Sequence, residues 1–139
     1  MGHAMYSTAP DYIRFLRMIL GKGQLDGTRI LSEQSVADMT NDQMQGLTFE
    51  TMRSVSPLTA DVELEGDPVH SFIAVATRKD IPGKRSAGTQ SWAGVCNSHY
   101  WVDPAKGVAA VIMTQSLPFV ERPMMETYDA FERAVYAAI

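Results

Sequence analysis

The sequence predicts an α+β fold, an antiparallel β-sheet flanked by helices. Three observations carry that expectation. A capped amphipathic segment opens the chain, apolar strands joined by tight turns fill its second half, and a helical apolar stripe closes it. At 139 residues the chain has the size of one domain, and 45% hydrophobic with 20% charged residues is ordinary globular composition. The expected organisation is a single domain over 1–139, with a helical part over 1–45 and antiparallel strands plus a C-terminal helix over 70–139.

Residues 1–5, with Gly2 and His3, read as a frayed start. The first helix follows. Thr8 can cap it, Pro10 suits its first turn, and Asp11 completes a T-x-x-D capping pattern. Tyr12, Ile13, Leu16, Ile19 and Leu20 recur at helical spacing, and Gly21 and Gly23 stop the helix. Asp26-Gly27 marks a turn. Ser32 caps a second helix over Glu33 to Thr40, with Val36 and Met39 facing inward. Over 41–69, Gly46, Pro57, Gly66 and Pro68 break any pattern, and a loop that long in a compact domain is suspected of function.

From Ser71 onward the pattern is that of strands. Phe72, Ile73 and Val75 read as one, Ala87 to Trp92 and Val95 to Val102 as two more, with a Pro82-Gly83 turn between the first two. After a turn over 103–107, Val108 to Thr114 is continuously apolar, as in the middle of a sheet. Met124, Tyr128, Phe131, Val135 and Ala138 then form the stripe of a final helix.

Composition removes several functions. Twelve Lys and Arg against sixteen Asp and Glu give a net charge of −4 and a pI near 5.3, the wrong sign for a nucleic-acid binder. No stretch approaches the roughly 18 apolar residues of a membrane span. No basic region precedes an apolar run, so a soluble chain without a signal peptide is expected. The single Cys excludes an internal disulfide and leaves the compartment open.

Complete catalytic sets are missing. Cys96 and His99 form a C-x-x-H pair, but zinc needs two more ligands, and His3 and His70 lack partner spacing. On a strand, residues three apart face opposite ways, which weakens both a metal and a Cys-His nucleophile. Ser91 has glycines three residues away on each side, Gly88 and Gly94, and so misses the G-x-S-x-G elbow. Arg78, Lys79, Lys84 and Arg85 read as solvating charges around a turn rather than an anion site. Gly21-Lys22-Gly23 lacks phosphate-loop spacing. Asp61, Glu63, Glu65 and Asp67, near His70, match no calcium loop and read as solvated. No metal and no cofactor is expected.

Two stretches carry a resemblance. One is Tyr6-Ser7-Thr8-Ala9-Pro10-Asp11-Tyr12-Ile13-Arg14-Phe15-Leu16-Arg17-Met18, continued by Gly23-Gln24-Leu25-Asp26-Gly27 and Ile30-Leu31-Ser32. The other is Ser91-Trp92-Ala93-Gly94, Asn97-Ser98-His99-Tyr100-Trp101-Val102-Asp103-Pro104 and Met113-Thr114-Gln115. In order and separation they resemble the C-terminal third of serine β-lactamase-like hydrolases, the branch of class C β-lactamases, family VIII esterases and penicillin-recognising proteins. The resemblance implies a partial β-lactamase/transpeptidase-like fold. It also implies hydrolysis of an ester, amide or β-lactam through an acyl-serine. The family's S-x-x-K and Y-x-N motifs are absent: no serine here has lysine three positions on, and no tyrosine has asparagine two positions on. No catalytic residue is therefore expected on this chain, and the chain alone is expected to be inactive.

The resemblance places Trp92, Ala93 and Gly94 at the K-T-G position, as one wall of the substrate site. Gly94 would let an acyl group approach the backbone. The Val95 N–H matches an oxyanion-hole donor. Trp92 in place of lysine removes a cation suited to a β-lactam carboxylate and favours esters or amides. Missing neighbours imply association, either as a homodimer, including a domain-swapped one, or with an N-terminal hydrolase portion. The competing expectations are a stand-alone small-ligand-binding or protein-interaction module using Trp92, Tyr100 and Trp101, and a self-sufficient hydrolase using Ser91 or Cys96.

Overall fold

The computed structural model describes residues 6–43, 45 and 47–139, so the expected frayed start with His3 and the break at Gly46 lie outside the described residues. The elements run α1 (Ala9–Leu20), β1 (Gln24–Leu25), β2 (Thr28–Arg29), α2 (Glu33–Thr40), β3 (Pro68–His70), β4 (Val75–Thr77), β5 (Gln90–Ala93), β6 (His99–Asp103), β7 (Val108–Ile112) and α3 (Arg122–Ala137). Strands β3 to β7 form one antiparallel sheet in chain order, and β1 and β2 pair as a separate hairpin. The architecture is α+β, as the sequence predicts.

Local chemistry sets the helix ends. The Thr8 hydroxyl accepts from Asp11 N–H at 3.3 Å, and Ser32 Oγ accepts from Ser35 N–H at 3.0 Å. Both are N-caps that pair otherwise orphaned amides. Strand alternation then divides the sheet into two faces. Tyr100, Val102, Ala109 and Val111 pack with Leu16, Ile19 and Val36 beneath α1 and α2. Trp101, Ala110 and Ile112 pack against Met124, Tyr128, Phe131 and Val135 of α3. Trp101 is completely buried, with its ring 5.6 Å from Phe131 and 5.9 Å from Tyr128.

Three expectations need correction. Phe72 and Ile73 are not strand residues. Because His70 is in register with Val75, residues 71–74 form the hairpin loop, closed by Ser71 N–H donating to the Ala74 carbonyl at 3.1 Å. Phe72 is 77% exposed there. Residues 95–98 are likewise a turn, and the strand starts at His99. The reason is Asn97, whose φ of 61° lies in the left-handed region that asparagine tolerates. Finally, β7 pairs only with β6 among the described residues and stands at an edge. Its apolar run reflects cover on both faces, by α1 and by α3.

Among its described residues, the segment over 41–69 has no regular element before β3, only isolated bridges joining Thr48 to Val69, Met52 to Val62 and Thr59 to Phe119. These bring its side chains to the end of β5.

Candidate active site

The end of β5 is an open peptide edge. The Thr89 carbonyl accepts from Thr77 N–H at 3.0 Å, so Thr89 faces β4. Alternation turns Ser91 and Ala93 the same way. Register with β4 reaches only Gln90 and Ser91, so Ala93 runs past the end of β4. Gly94 to Asn97 then make a tight turn, with Asn97 N–H donating to the Gly94 carbonyl at 2.9 Å. Val95 holds the second position of that turn. Its side chain is exposed, and its N–H finds no partner among the described residues. A methyl group built on Gly94 meets nothing within 4 Å among the described residues, so the space beside it is open.

Asn97 holds this turn, and sequence reasoning gave it no role. It is completely buried. Its Nδ2 donates to the carbonyls of Ser116 and Pro118, each at 3.0 Å, and its Oδ1 accepts from Val120 N–H at 2.7 Å. The signal available was the Gly-x-x-Asn spacing, a turn with a residue suited to positive φ.

A cavity of about 470 Å³ opens at this edge. Ala93, Val95, Val62, Phe119, Met125 and Tyr128 line it, and it extends below β5 to Ser91, Arg85, His99 and Glu132. That volume falls in the range of small-molecule sites, about 300–1,000 Å³.

Its deep end corrects the reading of Lys84 and Arg85 as solvating charges. Their side chains are 6% and 11% exposed, and the Glu132 side chain is 1% exposed. Lys84 Nζ lies 2.7 Å from Glu65, 2.9 Å from Asp129 and 3.8 Å from Glu132. Arg85 Nε stands 2.6 Å from Glu132 Oε1, yet the N–H is off-line, so the contact is an ion pair without a hydrogen bond. Arg85 Nη1 donates to Ser91 Oγ at 3.0 Å. Burial pushes the Glu132 carboxyl up, against the pull of Arg85 and Lys84. Burial would lower Lys84, but Glu65, Asp129 and Glu132 hold it above its usual value.

His99 stacks on Tyr128 with ring centroids 4.3 Å apart, and its buried Nε2 has no partner among the described residues. Burial, then the nearby Arg85 charge, lowers its pKa from 6.5 to about 4. The unfolded chain therefore binds the extra proton first as pH falls. This contribution to stability is fully present above pH 6.5 and is lost toward pH 4, by about 3 kcal/mol. Glu132 opposes it, because its raised pKa favours proton uptake by the folded state. Urea unfolding at pH 7 and pH 4.5 is expected to lose less stability in His99→Phe than in the parent, and equal losses would refute the assignment.

The other sequence candidates form no catalytic set. Trp92 borders the cavity and is 41% exposed, near Phe49, whereas Trp101 is buried on the α3 side. Trp92, Tyr100 and Trp101 therefore form no common surface. Cys96 lies in the turn with Gln115 Nε2 at 3.8 Å, whereas His99 lies on β6 facing α3. Ser91 is hydrogen-bonded to Arg85, which is not a base. The His70 ring lies tilted against Phe49, with centroids 3.7 Å apart. Asp61 pairs with Arg53, and Asp67 with Arg78 and Lys79. Among the described residues, no group of three His, Cys, Asp or Glu could hold a metal, and no helix is long and apolar enough to cross a membrane.

Comparison with known proteins bears on the family and the fold. The sequence matches the Beta-lactamase family profile over residues 1–134. It is 35% identical over 120 residues to Protein Rv1367c of Mycobacterium tuberculosis, covering 84% of this chain and 29% of that protein. Its fold is similar to that of unliganded simvastatin synthase (LovD) from Aspergillus terreus, with a TM-score of 0.70 at 17% identity over 92% of this chain and 34% of that one. The LovD6 mutant of the same enzyme gives a TM-score of 0.74 at 18% identity, over 92% and 33%. The chain thus spans about a third of the proteins it matches.

Proposed function

Because the chain belongs to the beta-lactamase family, we propose that it is the C-terminal portion of a serine hydrolase that cleaves esters or amides through an acyl-enzyme. The observation that carries this reading is the open edge of β5, where the free Val95 N–H stands beside the cavity. In this role Trp92, Ala93 and Gly94 form one wall of the substrate site. The Val95 N–H donates to the oxygen that becomes negative in the tetrahedral intermediate. A fixed donor there stabilises charge that exists only near the transition state.

The nucleophile comes from elsewhere. Without S-x-x-K there is no serine activated to attack and no acyl-enzyme. The partner is an N-terminal portion bearing that motif, or the same polypeptide's preceding residues. The outer edge of β7, open among the described residues, supports pairing with a further strand. A second copy of this chain at the same edge would give a homodimer instead. Trp92 offers no cation for a β-lactam carboxylate, which favours ester and amide substrates.

The test is a fluorophosphonate probe with a p-nitrophenyl ester assay beside it. The chain alone is expected to give neither adduct nor turnover. Both are expected once an N-terminal portion carrying S-x-x-K is added, with the adduct on that portion. An adduct on the 139-residue chain by itself would overturn the proposal.

A further inference from the structure

The cavity at the edge of β5 continues to a buried polar end that acyl transfer does not use. Its wall is mainly apolar, with Val62, Leu64, Phe119, Met125 and Tyr128. At its end neither Glu132 oxygen accepts a hydrogen bond, and His99 Nε2 is unpaired, among the described residues. Glu132 and His99 are 1% and 6% exposed. Glu132 is ion-paired with Arg85 at 2.6 Å but accepts no hydrogen bond, and buried polar atoms ordinarily do, so its spare acceptor capacity and the bare His99 Nε2 mark a place for a further hydrogen-bonding group.

Charge decides what kind of partner. Lys84, Arg85 and Arg133 stand against Glu65, Asp129 and Glu132, three cations for three carboxylates. A charged ligand would lose its hydration and meet no net opposite charge. A neutral group that donates a hydrogen bond suits the carboxylate without upsetting that balance. A hydroxyl also suits His99, since it donates to a bare Nε2 or accepts from a protonated one.

We propose that this cavity holds the far end of the substrate, and that this end is a neutral, largely apolar group bearing a hydroxyl or amide donor for Glu132 and His99 Nε2. The proposal names a substrate class for the hydrolase and rests on that reading, but its binding step is measurable without turnover.

The probes are 1-octanol, its methyl ether, octanoate and octylammonium, added to the full chain and followed by amide chemical shifts. Octanol is expected to perturb residues at the ends of β5 and α3 and to bind about tenfold more tightly than each of the other three. His99→Phe keeps the stack on Tyr128 and removes the polar atom. It is expected to bring octanol close to the ether while leaving the ether unchanged. Met125→Trp, which fills the cavity, is expected to abolish binding of both.

Equal affinity for octanol and its ether, tighter binding of either ion, or no shifts at the cavity overturns the proposal. If a variant fails to fold, the four probes on the parent chain still decide. A separate arm compares ω-hydroxyalkanoyl with plain alkanoyl esters in the reconstituted enzyme. Turnover without preference defeats this proposal alone. No turnover, with the octanol preference intact, defeats the hydrolase reading instead.

Discussion

Replacing Glu132 with alanine is expected to lower the unfolding free energy by about 3–5 kcal/mol. The substitution removes few apolar contacts, so packing loss is not the main term. What remains is a positive charge without its counter-ion. Arg85 is 11% exposed, its Nε faces Glu132 at 2.6 Å, and its Nη1 donates to the neutral Ser91 hydroxyl. Lys84 is less affected, because Glu65 and Asp129 lie within 2.9 Å of its ammonium. The cost should therefore fall on Arg85, and removing both partners should relieve it. Arg85→Met with Glu132→Met is expected to come within about 1 kcal/mol of the parent, since apolar replacements of a buried pair are often neutral or better. A double-mutant cycle read by urea unfolding measures the coupling. Additive single and double losses would show that the two charges do not interact, and the burial argument would fail.

That pair also shows where sequence reading stops. The stripe Met124, Tyr128, Phe131 and Val135 fixed the inward face of α3 from apolar letters alone. Glu132 follows Tyr128 by four residues and so shares that face, but its charge hides it from a search for apolar periodicity. Lys84 and Arg85 looked like turn charges because their partners lie on α3, some 45 residues away for Lys84 and Asp129. The helices were legible because their caps are local, Thr8 to Asp11 and Ser32 to Ser35. The 71–74 loop was not, because its position follows from the pairing of His70 with Val75 rather than from Phe72 and Ile73 themselves. At the site, Trp92 to Val95 could be found through a family motif. The cavity beside them could not, because Val62, Phe119 and Met125 come from three separate segments.

In the reconstituted hydrolase, Val95→Pro is expected to lower kcat by about 10²–10³ with little change in KM. The substitution is unusually selective here. Val95 is the second residue of the Gly94–Asn97 turn, a position that proline favours, and its backbone lies outside the left-handed region. The turn's own hydrogen bond runs from Asn97 N–H to the Gly94 carbonyl and does not involve Val95 N–H. Asn97 still anchors the turn through Ser116, Pro118 and Val120. Proline therefore deletes one donor and preserves the frame, so thermal stability should stay near that of the parent. Val95→Ala keeps the donor, and since the valine side chain is exposed its rate should remain within a few-fold of the parent. The comparison separates a donor that acts on developing charge from a side chain that shapes the wall. Equal rates for the proline and alanine variants would mean that the negative oxygen is stabilised elsewhere, and the open edge of β5 would lose its assigned role.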